Sequence, residues 1–232
     1  MNQNLDIICV CGKKRTGKDT IANYLKAKGY QSIALAELIK ESLINTDLKN
    51  IISMDDINGL TEFDREAPLI HCRDYLSKVL IDAVLYVDSI YRFKSLTQMI
   101  NQIRNVIDTY DVQKGVSIRN LMTAFGTDVV TSIDPYYWSE YTLMRVCLSE
   151  HSKWIISDVR LSDEVWYWNN AKSALDASVR FLYVYRNTGL TDNHITERGL
   201  EPQYDFGHDN VIINNDSTIL NLYRQLDEKL KI

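Results

Sequence analysis

The feature that most constrains this chain is a phosphate-loop pattern near its start, IICVCGKKRTGKDT at residues 7–20. Five β-forming residues end at Gly12, a polar loop follows, and an apolar pattern with helical spacing begins at Ile21. This strand, loop and helix order is the context in which a phosphate-binding loop works. Gly12 and Gly17 allow the backbone to turn so that successive N–H groups point at phosphate oxygens, and the helix start adds partial positive charge. The pattern predicts a nucleotide-binding protein.

The residues after the second glycine narrow this prediction. Lys18 is placed to reach the terminal phosphates as a mobile point charge. Asp19 follows where the general motif has Ser or Thr, and the hydroxyl comes one residue later at Thr20. This order of lysine, one residue and threonine is typical of nucleoside monophosphate kinases. The alternative is a glycine-bearing turn with incidental lysines.

Composition excludes several classes of protein. The chain has 232 residues, 45% hydrophobic and 25% charged, which fits one large domain or a core with a substantial insertion. No apolar run approaches the length of a membrane span, and the start MNQNLD is no signal peptide, so no membrane is expected. The net charge of −5 argues against broad binding to nucleic acid. Four cysteines without metal spacing suit a reducing, cytoplasmic setting.

The rest of the chain predicts alternating strands and helices, interrupted by a long helical section. After a first helix at 17–28, strands are predicted at 30–34, 154–157, 180–185 and 211–213. Helices are predicted at 35–48, 72–91, 96–110, 117–125 and 135–150, with a last helix capped by Asp216 or Ser217. This alternation implies an α/β fold, a parallel sheet with helices on both faces and ligands beyond the carboxyl ends of its strands. We predict a core of residues 1–48 and 151–232, with residues 49–150 as a helical insertion.

A second candidate site element is the segment IISDVRLSDE at residues 155–164. A hydrophobic strand that ends in an aspartate matches the second half of a phosphate-loop site, in which the carboxylate holds Mg²⁺ directly or through water. Asp158 has the alternative of capping the next helix. Arg160 and Glu164 follow it closely, and both are expected to border the same cleft.

Six short segments together resemble a known family. In order, they are GKKRTGKDT, FDREAPL, SIRNLMTAFGTDVV, YWSE, SDVRLSDE and DNHITERGL, and the chain is similar in these to the deoxynucleoside monophosphate kinases of large bacteriophages. Their number and order make the resemblance specific, and they cover most of the chain. The resemblance implies a P-loop kinase core with a large helical acceptor-binding insertion. It also implies Mg²⁺-ATP as donor, a deoxynucleoside monophosphate as acceptor, and a homodimer.

The motifs and the resemblance together predict site residues for each of these ligands. The expected ATP-binding residues are Gly12, Arg15, Thr16, Gly17, Lys18, Asp19, Thr20 and Arg186, with Thr20 and Asp158 near the metal. The expected acceptor-binding residues are Lys14, Lys40, Arg65, Arg119, Gly126, Thr127, Trp138, Asp158, Arg160 and Glu164. The residues expected to act in catalysis are Lys18, Arg119, Asp158 and Arg160.

Several of these residues have a structural alternative. Any lysine or arginine among them can be a solvated surface charge, although the matching flanks of Arg65 and Arg119 favour phosphate contacts, for which a planar guanidinium is suited. Gly126 is expected at a helix end, where its backbone approaches a ligand closely. Trp138 is similar to a family tryptophan near the acceptor base, with a core cluster of residues 136–138 as the equal alternative.

The long polar loop at residues 187–209 is expected to be functional. Arg186, just before it, is predicted to stack on adenine or bridge ATP phosphates, with a surface salt bridge as the alternative. We interpret His194 as a hydrogen-bonded structural residue, because the acceptor phosphate is already an anion and needs no base. Residues 88–112 and 172–178 carry no matching motif, so the preferred base is not assigned.

We therefore predict the reaction ATP + dNMP giving ADP + dNDP. The nearer rival is another small-molecule phosphate kinase, since such loops and strand ends also resemble phosphomevalonate kinase. The GTD and YW segments favour the nucleotide acceptor. The more distant rival is a nucleotide-gated binding protein, against which the basic residues of the insertion argue.

Overall fold

A computed structural model describes residues 5–189, 198–202 and 210–232 of the chain. The described strands are β1 (Asp6–Cys11), β2 (Gln31–Ile33), β3 (Pro68–Ile70), β4 (Val116–Ser117), β5 (Lys153–Val159), β6 (Ser178–Tyr185) and β7 (Asn210–Asn214). The described α-helices are α1 (Lys18–Ala27), α2 (Glu37–Ile44), α3 (Met54–Asn58), α4 (Arg73–Ile90), α5 (Leu96–Ile107), α6 (Ile118–Thr123), α7 (Tyr137–Leu148), α8 (Ser162–Leu175) and α9 (Ile219–Leu230). A 3₁₀ helix covers Asp47–Asn50 and a π-helix covers Ala124–Thr131. None of the helices in these residues is long and apolar enough to cross a membrane.

The main sheet has the strand order β2-β5-β1-β6-β7, and each neighbouring pair is parallel. β1 therefore lies at the centre of the sheet, and its carboxyl end leads into the phosphate loop. On one face, Ile8 and Val10 of β1 pack with buried residues of α1 and α9. On the other face, Cys9 and Cys11 are fully buried and lie near Glu164 of α8. The predicted α/β fold, with a parallel sheet covered on both faces, is confirmed.

The chain divides into two compact units, one formed by Met1–Leu35 with Ser139–Ile232 and the other by Ala36–Trp138. The first unit holds the whole parallel sheet. The second holds α2 to α6, the π-helix and a two-stranded antiparallel sheet of β3 and β4. These limits lie earlier in the chain than the predicted ones at 48/49 and 150/151. The assignment of acceptor binding to the inserted section stays a prediction.

The short antiparallel sheet, the helix at 35–48 and the start of the last helix differ from the prediction. The sequence pattern did not predict the short β3–β4 sheet, because two or three residues are too few to show a period. The predicted helix at 35–48 is interrupted after Ile44, since the Thr46 hydroxyl donates to the Leu43 carbonyl (2.7 Å) and accepts from the Leu48 N–H (3.2 Å). The predicted cap on Asp216 or Ser217 is wrong, because Thr218 caps α9 through the Asn221 N–H.

Candidate active site

The phosphate loop, residues 12–17, is a closed turn between β1 and α1. The Thr16 hydroxyl donates to the carbonyl oxygen of Lys13 at 2.9 Å, and the Thr16 N–H donates to the same oxygen at 3.4 Å. A Cβ on Gly12 would lie 2.8 Å from the Thr16 hydroxyl and 2.9 Å from the Val184 carbonyl oxygen. Only glycine fits at position 12, so the loop stays close to the central strands.

Lys18 extends across this loop rather than into solvent. Its ammonium group donates to the carbonyl oxygens of Gly12 and Lys13, both at 2.6 Å. These bonds hold a positive charge against the loop, at the start of α1. The geometry suits a polyanion such as a nucleotide phosphate chain.

Asn215 supports the loop from β7, and the sequence reasoning missed it. Its side-chain amide donates to the Thr16 carbonyl oxygen at 2.8 Å, and its backbone N–H donates to the Tyr185 carbonyl oxygen at 2.8 Å. The residue is 8% exposed. The available signal was its position directly after a strand, at the carboxyl edge of the sheet where parallel strands bring ligands.

Asp158 lies on β5, beside the carboxyl end of β1. The pairing advances two residues on β1, from Cys9 to Cys11, while β5 advances three, from Ile156 to Val159, so Asp158 falls in a β-bulge. Its Oδ1 accepts from the Leu35 N–H at 2.7 Å. The strand continues to Val159 instead of ending at Asp158 as predicted. A bulge re-aims a side chain next to a site, which suits a carboxylate beside the phosphate loop.

Glu164 closes the start of α8. Its Oε2 accepts from the N–H groups of Arg160 at 2.7 Å and Leu161 at 3.0 Å, which makes it the cap of this helix. Burial raises the pKa of Glu164 to about 7, and the charge of Asp158 acts in the same direction, whereas the two N–H donors lower it. Glu164 therefore fixes the backbone that carries the predicted site residue Arg160.

In the second unit, the two predicted acceptor arginines lie together. The Arg119 N–H donates to the Arg65 carbonyl oxygen at 3.2 Å, and the Arg65 guanidinium donates to the Ile57 carbonyl oxygen at 3.2 Å. The Nε of Arg119 lies 2.7 Å from Oε1 of Glu66, a partner the sequence reasoning did not identify. This contact is an ion pair on the Nε side of the Arg119 guanidinium.

The third predicted cation, Lys40, contacts the end of the short helix α3. The Lys40 ammonium donates to Oδ1 of Asn58 at 2.9 Å, and Asn58 follows Ile57 directly in α3. Gly59 ends α3 with φ +72°, and a Cβ there would lie 2.9 Å from the Arg65 guanidinium carbon. A side chain at position 59 would displace Arg65. The structure thus places Lys40 and Arg65 at the end of α3 and joins Arg119 to Arg65 through the backbone, and a phosphate site there stays a prediction.

Gly126 and Trp138 have structural surroundings. Gly126 lies inside the π-helix and not at a helix end, so that expectation was wrong, and a Cβ there would lie 2.5 Å from Cδ1 of Ile39. The indole N–H of Trp138 donates to the Gly126 carbonyl oxygen at 2.9 Å, and the ring is 4% exposed between Phe125 and Tyr137. This geometry corresponds to the core-cluster alternative for Trp138. Base contact by Trp138, or by the half-buried Thr127, stays a prediction.

The other predicted residues border the carboxyl edge of the main sheet. Lys14 and Arg15 lie in the phosphate loop, half-buried and exposed respectively, and Arg15 has a left-handed φ of 63°. Asp19 is exposed and Thr20 half-buried in the first turn of α1, and Arg186 is exposed directly after β6. His194 and most of the DNHITERGL segment lie outside the described residues.

Comparison with known proteins identifies the family. The family model described as "Deoxynucleotide monophosphate kinase" matches residues 6–226. The chain belongs to this family. It is similar to the deoxynucleotide monophosphate kinase of Escherichia phage RB69, with 27% identity over 265 residues, and to that of Enterobacteria phage T4, with 27% identity over 255 residues. Each alignment covers 98% of this chain and 100% of the relative.

These matches confirm the resemblance that the six segments indicated. A phosphotransferase of the P-loop kinase type agrees with the parallel sheet and with the loop after its central strand. Neither relative supports the phosphomevalonate-kinase-like alternative. The full-length alignments also show that the match extends over both compact units.

Proposed function

We propose that this member of the deoxynucleotide monophosphate kinase family transfers the γ-phosphoryl group of ATP to a deoxynucleoside monophosphate. The observation that carries the proposal is that one chain has two separate groups of residues suited to binding phosphate. The first is a phosphate loop crossed by Lys18, and the second is formed by Lys40 and Arg65 at the end of α3, with Arg119 joined to Arg65 by a backbone hydrogen bond. A kinase needs both, whereas a nucleotide-gated switch needs only the first.

The donor is held by the phosphate loop. Its backbone N–H groups and the start of α1 bind the β- and γ-phosphates, and the Lys18 ammonium neutralises charge on the transferring group. Lys18 needs only a small displacement from the Gly12 and Lys13 carbonyl oxygens to do so, because it already lies over the loop. Arg186 lies at the same edge of the sheet and is proposed to contact the adenine or the phosphates.

The carboxylate of Asp158 and the hydroxyl of Thr20 are the oxygen ligands proposed for Mg²⁺. Both are hard donors of the kind this ion prefers, and Mg²⁺ bound with nucleotides usually keeps several waters, so one carboxylate suffices. Among the residues that the structure describes, no group of three or more His, Cys, Asp or Glu side chains is arranged to hold a metal ion. Bound Mg²⁺ supplies charge neutralisation at the phosphates. Asp158 is proposed to order its ligand shell, directly or through water.

The acceptor phosphate is held by the second unit. Lys40 and Arg65 supply two positive charges at Ile57, Asn58 and Gly59, and Arg119, which forms an ion pair with Glu66, supplies a third. Lys14 and Arg160 are proposed as further phosphate contacts, with Glu164 fixing the backbone of Arg160. Gly126, Thr127 and Trp138 are proposed to shape the pocket of the nucleoside. An acceptor phosphate oxygen attacks the γ-phosphorus while the bond to the ADP oxygen breaks, and the anionic acceptor requires no general base.

We also propose, from the family resemblance, that the enzyme acts as a homodimer.

Its four cysteines are free, two of them buried and two exposed, which suits the reducing cytoplasm of a host cell.

The test is an assay of ADP release with each deoxy- and ribonucleoside monophosphate in turn. Lys18→Ala is expected to fold normally and to lose about three orders of magnitude in turnover, the scale of one preorganised charge at a transition state. Lys26→Ala, an exposed lysine of the same helix, is the matched control. Parental turnover in folded Lys18→Ala protein would remove the phosphate loop from the mechanism.

The Arg65→Ala variant distinguishes acceptor binding from ATP binding. Acceptor binding is expected to weaken by roughly 2–4 kcal/mol, as for the loss of a bidentate charged partner, while ATP binding stays unchanged. Arg92→Ala removes an exposed arginine of the same unit and is expected to change neither. An equal loss of ATP binding in Arg65→Ala would place Arg65 in the donor site or in the fold.

A further inference from the structure

We infer that Asn215 is a positioning residue for the donor site: its side-chain amide fixes the Thr16–Gly17 peptide so that the Gly17 N–H faces the phosphates of ATP. The inference rests on the proposed function, in which the phosphate loop binds the donor. It adds a residue from the last strand to a site that the motif places entirely near the start of the chain. Asn215 lies 199 positions after Thr16.

The contact between Asn215 and the phosphate loop restrains one peptide group, that between Thr16 and Gly17. The Asn215 amide donates to the Thr16 carbonyl oxygen at 2.8 Å within a buried environment. The backbone N–H of Asn215 is itself fixed by the Tyr185 carbonyl oxygen at 2.8 Å, so the amide starts from a rigid point at the sheet edge. A Cβ built on Gly17 would overlap the Asn215 amide nitrogen, so the two residues are in direct contact.

The geometry of the Thr16–Gly17 peptide explains how the Asn215 contact affects the Gly17 N–H. In a trans peptide the C=O and the following N–H point in opposite directions. Holding the Thr16 carbonyl oxygen towards Asn215 therefore directs the Gly17 N–H away from Asn215. Gly17 also has φ +99°, a conformation that other residues rarely adopt.

The Gly17 N–H is then available to a ligand. Within residues 5–189, 198–202 and 210–232, no protein group accepts a hydrogen bond from it. A phosphate oxygen is the acceptor that a glycine-rich loop at a helix start is built to bind. The side chain of Asn215 is not required to join β7 to β6, because backbone pairing already does so. The role of the Asn215 amide is therefore to hold the Thr16–Gly17 peptide of the phosphate loop.

The experiment compares Asn215→Asp with the parent enzyme by calorimetric titration of ATP and of a deoxynucleoside monophosphate. The aspartate has the same size but, ionised, has no N–H to donate, so the Thr16 carbonyl loses its partner. The Kd for ATP is expected to rise roughly 10- to 100-fold, the scale of one unpaired buried polar group, while the acceptor Kd stays unchanged. Asn214→Ala, an exposed asparagine one residue earlier, is the matched control and is expected to change neither.

A second readout reports on Gly17 itself. In ¹H–¹⁵N spectra, ADP is expected to shift the Gly17 amide resonance of the parent strongly and that of Asn215→Asp at least several-fold less. If Asn215→Asp does not fold, Asn215→Ser, which is smaller and too short to reach Thr16, takes its place in both measurements.

The outcomes separate this inference from the proposed function. Parental ATP affinity and a parental Gly17 shift in a folded Asn215 variant would overturn the positioning role alone. Equal losses of ATP and acceptor affinity, in step with a lower melting temperature, would make Asn215 a purely structural residue. Absence of any ADP-induced shift at Gly17 in the parent enzyme would instead contradict donor binding at the phosphate loop.

Discussion

The buried carboxyl of Glu164 predicts a pH dependence of stability that Glu164→Gln removes. The pKa of Glu164 is raised from 4.5 to about 7, chiefly by burial. Between these two values the folded protein holds a proton on Glu164 that the unfolded chain has lost. The free energy of unfolding therefore falls as the pH rises through this window, and the Glu164 contribution is constant above about pH 7.

The magnitude follows from the two pKa values. At 1.36 kcal/mol for each pH unit, the free energy of unfolding falls by about 3 kcal/mol across the window. Glutamine has no ionisation, and its carbonyl oxygen can accept from the Arg160 and Leu161 N–H groups in place of Oε2. The stability of Glu164→Gln relative to the parent is therefore expected to increase by about 3 kcal/mol between pH 4.5 and 7.

The assay is urea unfolding of both proteins at half-unit steps from pH 5 to 8. Asp163→Asn changes the exposed acidic residue next to Glu164 and is expected to run parallel to the parent. Parallel curves for Glu164→Gln and the parent would refute the argument, because they would mean that Glu164 ionises alike in the folded and unfolded chain. A difference that grows towards low pH would reverse the sign of the reasoning.

Two further changes test particular contacts. Asp158→Asn is expected to lower turnover at least a hundredfold and to weaken apparent Mg²⁺ affinity, with little change in melting temperature. The measurement is a magnesium titration of the rate, with Asp163→Asn as the control. An unchanged titration with normal rate would leave Asp158 a structural residue. Gly59→Ala is expected to raise the KM for the acceptor and to cost about 1–2 kcal/mol of stability, since it combines a left-handed φ with overlap on the Arg65 guanidinium. Gly29→Ala has a similar φ of +91° and no neighbour within 4 Å, so an equal effect on KM in both variants would exclude displacement of Arg65.

Local patterns were sufficient for the parts of the fold that depend on neighbouring residues. The apolar run before Gly12 became the central strand β1, and the helical spacing after Ile21 became α1, which is followed after its C-cap by Gly29 with φ +91°, as expected of a helix stop. The order of short motifs identified the family, which the full-length comparisons confirm. Motif flanks also selected Arg65 and Arg119, which the structure joins by a backbone hydrogen bond.

Elements shorter than one period of their pattern could not be predicted in this way. β3 and β4 have three and two residues, and neither shows an alternation of apolar and polar positions. Gly126 followed a helical pattern and was expected at its end, but the helix continues there as a π-helix. The difference between an α- and a π-helical turn depends on which carbonyl each N–H selects, and this choice is settled by packing around the helix.

The sequence by itself determined the phosphate loop, the strand and helix order and the family, because motif spacing and periodicity are properties of neighbouring residues. The tertiary structure decided which distant groups complete the site. Asn215 reaches Thr16 because β7 and β1 end at one edge of the same sheet, and Glu66 meets Arg119 where β3 pairs with β4. The raised pKa of Glu164 likewise comes from burial against the sheet. Such contacts and burial depend on how the chain packs, and no short segment of sequence specifies them.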